Sequence, residues 1–116
     1  MSLKIEVKDV EGVAVLSCHG NVIFGDESAA LRQKLRDVLG SKRKVVLDLS
    51  GVSYIDSGGL GMLVGAYSSA RAAGSDIKLA GLGQRVRDLL QVTKLVTVFE
   101  SFGNEAQAVA AFRSHA

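Results

Sequence analysis

The chain has 116 residues, the size of one ordinary domain, and 47% apolar against 22% charged residues supply a core without covalent staples. Fourteen Lys and Arg against 12 Asp and Glu leave a net charge of +2, too small to point to nucleic acid. One cysteine and two histidines exclude an internal disulfide and offer no metal cluster of recognisable spacing.

The opening run Met1-Ser2-Leu3-Lys4-Ile5-Glu6 is charged and alternating, unlike a signal peptide. No apolar run approaches the roughly 20 residues that span a bilayer. The expectation is a cytoplasmic protein without direct membrane insertion. There is no proline, no Gly/Ser linker and no visible repeat, so residues 1–116 read as one domain.

Leu3, Ile5 and Val7 alternate with Lys4, Glu6 and Lys8, which predicts a strand with one wet face. Asp9 to Gly12 holds turn residues. Val13 to Cys18 is rich in β formers, and the short gap predicts an antiparallel hairpin. Cys18 sits inside this run and reads as a buried free thiol. Gly20 and Asn21 interrupt the pattern. Asp26 is placed as the N-cap of a helix with Leu31, Leu35, Val38 and Leu39 at helical spacing, ended by Gly40.

The basic Lys42-Arg43-Lys44 reads as a solvated lead-in to Val45–Leu49, a buried central strand. Ser50 to Ser53 is expected to turn, and Tyr54-Ile55 to extend briefly. A long helix follows from about Ser57 to Ala73, stopped by Gly74. Ile77–Ala80 predicts another strand, Gly81–Gly83 a loop, and Val86, Leu89 and Leu90 a short helix. Val96–Phe99 predicts the last strand. Glu105–Arg113 predicts the last helix, with Ala106, Val109, Ala110 and Arg113 on one side.

The order β-β-α-β-α-β-α-β-α is an α/β pattern: a mixed sheet with helices packed on it and mostly parallel later strands. In such sheets function collects where strands end and loops lead into helices. Asp56-Ser57-Gly58-Gly59 lies at such a point. The run echoes a serine-protease nucleophile, but only His19 and His115 could serve as a base. The Gly-x-Ser-x-Gly elbow also fails, because Ile55 occupies its first glycine position. Serine hydrolysis is therefore disfavoured. Ser57 also suits an N-cap, with Asp56 at the positive end of the helix dipole.

The helix itself carries a further signal. Leu60, Leu63, Val64 and Tyr67 share the face expected to meet the sheet. Gly58, Met62, Gly65 and Ser69 lie opposite, and no charged side chain occurs from Ser57 to Ala70. Small residues around a methionine expected to be exposed suit either a close-fitting partner or tight packing within the fold. An exposed serine at this helix start is also placed for regulatory phosphorylation, which would put charge into an uncharged surface.

The segment "VVLDLSGVSYIDSGGLGMLVGAYSSARAAGSDIKLAGL", with "GQRVRDLLQVTKLVTVFE" after it, resembles the STAS domain of bacterial anti-sigma factor antagonists over essentially the whole chain. The resemblance implies a switch without enzymatic activity, cofactor or metal. Unphosphorylated, such a protein binds an anti-sigma factor that is also a serine kinase. That kinase phosphorylates the serine after the motif aspartate, the complex separates, and a phosphatase resets it. By motif position the acceptor is Ser57, with Asp56 beside it; the uncharged helix face then makes Gly58, Gly59, Gly61, Met62, Gly65 and Ser69 the expected partner surface.

One departure stands out: Gly20 is followed by Asn21-Val22-Ile23-Phe24 where many members carry Glu, an apolar residue and Asp. Recognition then uses apolar contacts through Ile23 and Phe24, with Asn21 beside them in the partner surface, or Ile23 and Phe24 simply pack beneath the first helix. The resemblance also admits another role, a STAS scaffold in a transport or stressosome-like assembly without phosphorylation. It leaves the oligomeric state open.

Overall fold

In a computed structural model that describes residues 3–113, five strands form one sheet in the order β1-β2-β3-β4-β5. β1 (Lys4–Val10) and β2 (Val13–Val22) make the antiparallel hairpin expected from their alternation. The hairpin turn needs Glu11 and Gly12 at positive φ, 54° and 82°, and Asp9 Oδ1 accepts the Gly12 N–H at 3.0 Å. β3 (Lys44–Ile55), β4 (Asp76–Ala80) and β5 (Ser101–Phe102) add on in parallel, joined by helices. Those helices are α1 (Asp26–Leu39), α2 (Ser57–Ala72) and α3 (Gln84–Val92), with α4 (Glu105–Arg113) closing the chain.

Alternation along β2 sorts the core into two layers. Ala14, Leu16 and Cys18 face Leu31 and Leu35 of α1, Leu60 and Leu63 of α2, and Val86 and Leu90 of α3. Val13 and Val15 face the opposite way, against Ala108, Val109 and Phe112 of α4. Each fully buried Val, Leu or Phe among them contributes about 1.5–3 kcal/mol. Burial, with the field of Asp48 behind it, pushes the Cys18 thiol up to about 12, as suits an inert core cysteine.

Several expectations from the sequence are corrected. Ser50–Ser53 does not turn: β3 runs unbroken to Ile55 because β2 also runs on past Gly20 and pairs with it, Val22 opposite Ile55. The register slips between Ser17 and His19, where the His19 ring lies across Gly51 and would collide with any Cβ there. Val96–Phe99 is not a strand. Lys94 leaves α3 in a left-handed conformation (φ 62°), a single 3-10 turn covers Leu95–Thr97, and Phe99 packs edge-on against Tyr67 at 5.0 Å.

Gly25, not Asp26, precedes the first turn of α1, at φ 112° where glycine is favoured. On α4 the buried set is Ala108, Val109 and Phe112, so Ala106 and Arg113 face outward. Arg113 pairs instead with Glu11 at 2.6 Å. Lys78, inside an apolar strand, is only 2% exposed. Its ammonium reaches Asp76 and Glu100 and lies 4.7 Å from the centre of the Phe112 ring.

Candidate functional site

At the carboxyl end of β3 the chain must turn from strand into α2, and Asp56 makes that turn. Its backbone is extended (φ −90°, ψ 178°), and its side chain caps the helix: the Gly59 N–H donates to Oδ1 at 2.7 Å. The N-cap is therefore Asp56 and not Ser57. The same carboxylate accepts the Phe24 N–H, with its two oxygens at 3.1 and 3.0 Å. The Asp56 N–H donates to the Val22 carbonyl at 3.2 Å. One aspartate thus ties the loop after β2 to the start of α2. The N–H groups of Gly59, then Phe24, hold its carboxyl below the ordinary value of 3.8, so it is an anion at neutral pH.

Ser57 is the first helical residue and is exposed. Its hydroxyl makes no hydrogen bond among the described residues.

The glycines next to it serve the fold. A Cβ on Gly59 would collide with the Val22 carbonyl, and one on Gly58 would come within 2.5 Å of the Phe24 Cβ. Phe24 itself projects, 79% exposed, so it does not pack beneath α1. Ile23 is half-buried, and its carbonyl accepts the Ser28 N–H at 3.1 Å. Asn21 is held by the Ser53 hydroxyl, which donates to its Oδ1 at 2.9 Å. Asn21, Ile23, Phe24, Asp56, Ser57 and Gly58 therefore gather at one end of the sheet.

From there a groove runs between α1 and α2. A hollow of about 370 Å³ lies between Phe24, Ala29 and Gly58, and a second of about 290 Å³ between Leu39, Gly61 and Gly65. Both are lined by Arg32 and Met62, so they adjoin, and Ser69 lines the far one. Met62, expected to be exposed, is half-buried against the core, because α1 lies beside it. The α2 face is bare of charge in its own sequence. The groove is not: Arg32 and Arg36 of α1 border it, and neither forms an ion pair among the described residues.

Sequence reasoning missed both arginines as part of this surface. Their i, i+4 spacing put them on one side of α1, but only the packing of α1 on α2 shows what they border. Exposed Tyr54 and Arg85, whose guanidinium stands 6.0 Å from the Tyr54 ring centre, were also missed at this end.

The hydrolase reading finds no base here. His19 pairs with Gly51, six positions before Ser57 along the chain, and its ring nitrogen lies 3.7 Å from Glu6. His115 lies outside the described residues. Among the described residues no group of side chains could hold a metal ion, and no helix is long and apolar enough to cross a membrane.

The family model for the STAS domain matches residues 4–108. This chain belongs to the STAS-domain family. Among similar proteins, an anti-sigma-B factor antagonist of Listeria monocytogenes is 32% identical, with 86% of this chain and 87% of the relative aligned. Among solved structures, an anti-sigma factor antagonist from Mycobacterium paratuberculosis superposes with a TM-score of 0.83 at 27% identity, covering 96% of this chain and 94% of that one. The Bacillus cell fate determinant SpoIIAA in its phosphorylated form gives 0.72 at 16% identity, covering 94% and 99%, a likeness of fold alone. Within the STAS family the chain therefore groups with the anti-sigma factor antagonists, a class of regulatory proteins.

Proposed function

We propose that this STAS protein is an anti-sigma factor antagonist without catalytic activity of its own, working in the cytoplasm by partner switching. Unphosphorylated, it binds a kinase-type anti-sigma factor through Phe24, Ser57 and the α1–α2 groove. That partner phosphorylates Ser57 and is released, and a phosphatase restores the binding form.

The observation that carries this reading is Ser57 itself: an exposed, unengaged hydroxyl on the first turn of a helix, at the head of a groove with an apolar floor. Asp56 already occupies the helix N-terminus as an anion. A phosphate on Ser57 is therefore repelled from the cap and directed outward, toward a bound partner, adding about −1.5 to −2 charges there. The groove suits a partner segment with apolar side chains for its floor and carboxylates for Arg32 and Arg36. Phe24, projecting beside Ser57, supplies the large aromatic anchor that interfaces favour. The acidic pair replaced by Asn21 and Ile23 is then exchanged for an apolar contact.

The test is phosphorylation by the kinase-type anti-sigma factor of the same cell, with ATP, read by mass spectrometry. The expected result is one phosphate, on Ser57, and none on Ser57→Ala. A chain that the kinase leaves unmodified sinks the phosphoswitch.

A further inference from the structure

We propose that β1 is a self-association edge, through which two copies of this chain pair antiparallel about Val7 and join their sheets into one. The proposal is independent of the partner reading, because it uses the edge of the sheet and leaves Ser57 and the groove free.

The two edges of the sheet differ. β5 offers only Ser101–Phe102, too short to template a second strand. β1 offers seven residues whose outer N–H and C=O groups pair with no described residue. Proteins usually guard such an edge with a proline, a bulge or charged side chains, and β1 does carry charges, but on one face they alternate in sign and so can pair across an interface instead of repelling. β1 has no proline, and its register with β2 runs unbroken from Lys4 opposite His19 to Val10 opposite Val13. Val7 sits opposite fully buried Leu16 on the core-facing side, yet it is 46% exposed, because the helices do not reach over it.

The charges on β1 then select a register. Lys4, Glu6 and Lys8 share the other face and alternate in sign. Pairing about Val7 sets Glu6 of each copy opposite Lys8 of the other, twice, and closes the two Val7 side chains on each other. Pairing about Glu6 would instead oppose Glu6 to Glu6 and Lys4 to Lys8. Pairing about Lys8 would oppose Lys8 to itself. Pairing about Ile5 matches Lys4 with Glu6 but engages only Lys4–Glu6 of the strand. Opposite charges directly across an antiparallel pair stabilise it and like charges oppose it.

The groups are free to respond. Among the described residues the close partner of Glu6 is the His19 ring, 3.7 Å away, and both side chains are more than half exposed. Lys8 holds Glu105 at 2.9 Å, but an ammonium has three donors and can also serve the second copy's Glu6. One strand per copy buries less than the roughly 1,000 Å² of a stable interface, so the dimer is weak and reversible. The twofold axis stands perpendicular to the joined sheet, so the two Ser57 sites lie at opposite ends and each dimer can engage two partners.

Sedimentation velocity of the full chain, from low micromolar to millimolar concentration, tests this. The wild type is expected to shift from monomer to dimer. Glu6→Lys or Lys8→Glu alone sets like charges opposite each other and weakens the dimer about tenfold, and the double exchange E6K/K8E restores it. Val7→Lys abolishes the dimer without touching either charge, and circular dichroism checks that each variant is folded. A wild type that stays monomeric at millimolar concentration overturns the proposal. So does a dimer insensitive to the single exchanges and to Val7→Lys, or a folded double variant that does not recover.

Discussion

Gly59 and Gly61 stand two residues apart on the same helix and are glycine for different reasons. Gly59 lies against the Val22 carbonyl, where no side chain fits, and Gly58 beside it lies against Phe24. Gly61 and Gly65 have nothing within 4 Å of where a Cβ would stand. Each glycine inside a helix costs roughly 1 kcal/mol against alanine. At Gly58 and Gly59 the fold recovers that cost by docking α2 on the end of β2. At Gly61 and Gly65 no contact among the described residues recovers it, and in the proposed function the low, smooth surface is where a partner sits.

A side chain does the most damage at Gly59. Gly59→Ala forces α2 away from Val22 and is expected to cost about 1–3 kcal/mol, seen as an earlier midpoint in urea unfolding. An unchanged midpoint would mean that the contact is not needed. The second pair should respond with the opposite sign. Gly61→Ala and Gly65→Ala are each expected to stabilise the domain by about 0.5–1 kcal/mol while weakening partner binding, measured by melting and by titration calorimetry. Gain on both counts would remove the groove from the interface. Met62→Lys is a less clean probe, because Met62 is half-buried and its loss mixes stability with binding.

The smallest expected effect is on pH. Asp56 is held below its ordinary 3.8, so its contribution to stability is fully present above that value and is lost as pH falls through the lower folded one. The amides of Gly59 and Phe24, which share its carboxylate, should then lose hydrogen-exchange protection together. Loss at one amide without the other would show that Asp56 does not couple the loop to the helix.

Much of this was legible in the sequence. Alternation over Leu3–Val7 and the β formers from Val13 gave the hairpin. The β/α order gave the parallel strands and put Asp56-Ser57 at a strand end. What failed depended on neighbours. Val96, Thr97 and Val98 favour a strand intrinsically, but a strand needs an edge to pair with. The free edge of β4 is taken by Ser101 and Phe102 instead. Ser50-Gly51 looks like a turn until β2 continues alongside it. Lys78 shows its charge in the sequence but not Asp76, Glu100 and the Phe112 ring that let it lie buried. Arg32 and Arg36 became part of the candidate site only once α1 was seen against α2.

In the proposed switch, charge on Ser57 decides who can bind. Titration calorimetry of the unphosphorylated chain, Ser57→Ala and Ser57→Asp against the kinase-type anti-sigma factor addresses it directly. Wild type and Ser57→Ala are expected to bind alike, and Ser57→Asp to bind at least about tenfold more weakly while keeping its fold, a loss of about 1.4 kcal/mol. Equal affinity for Ser57→Asp and the wild type would contradict it.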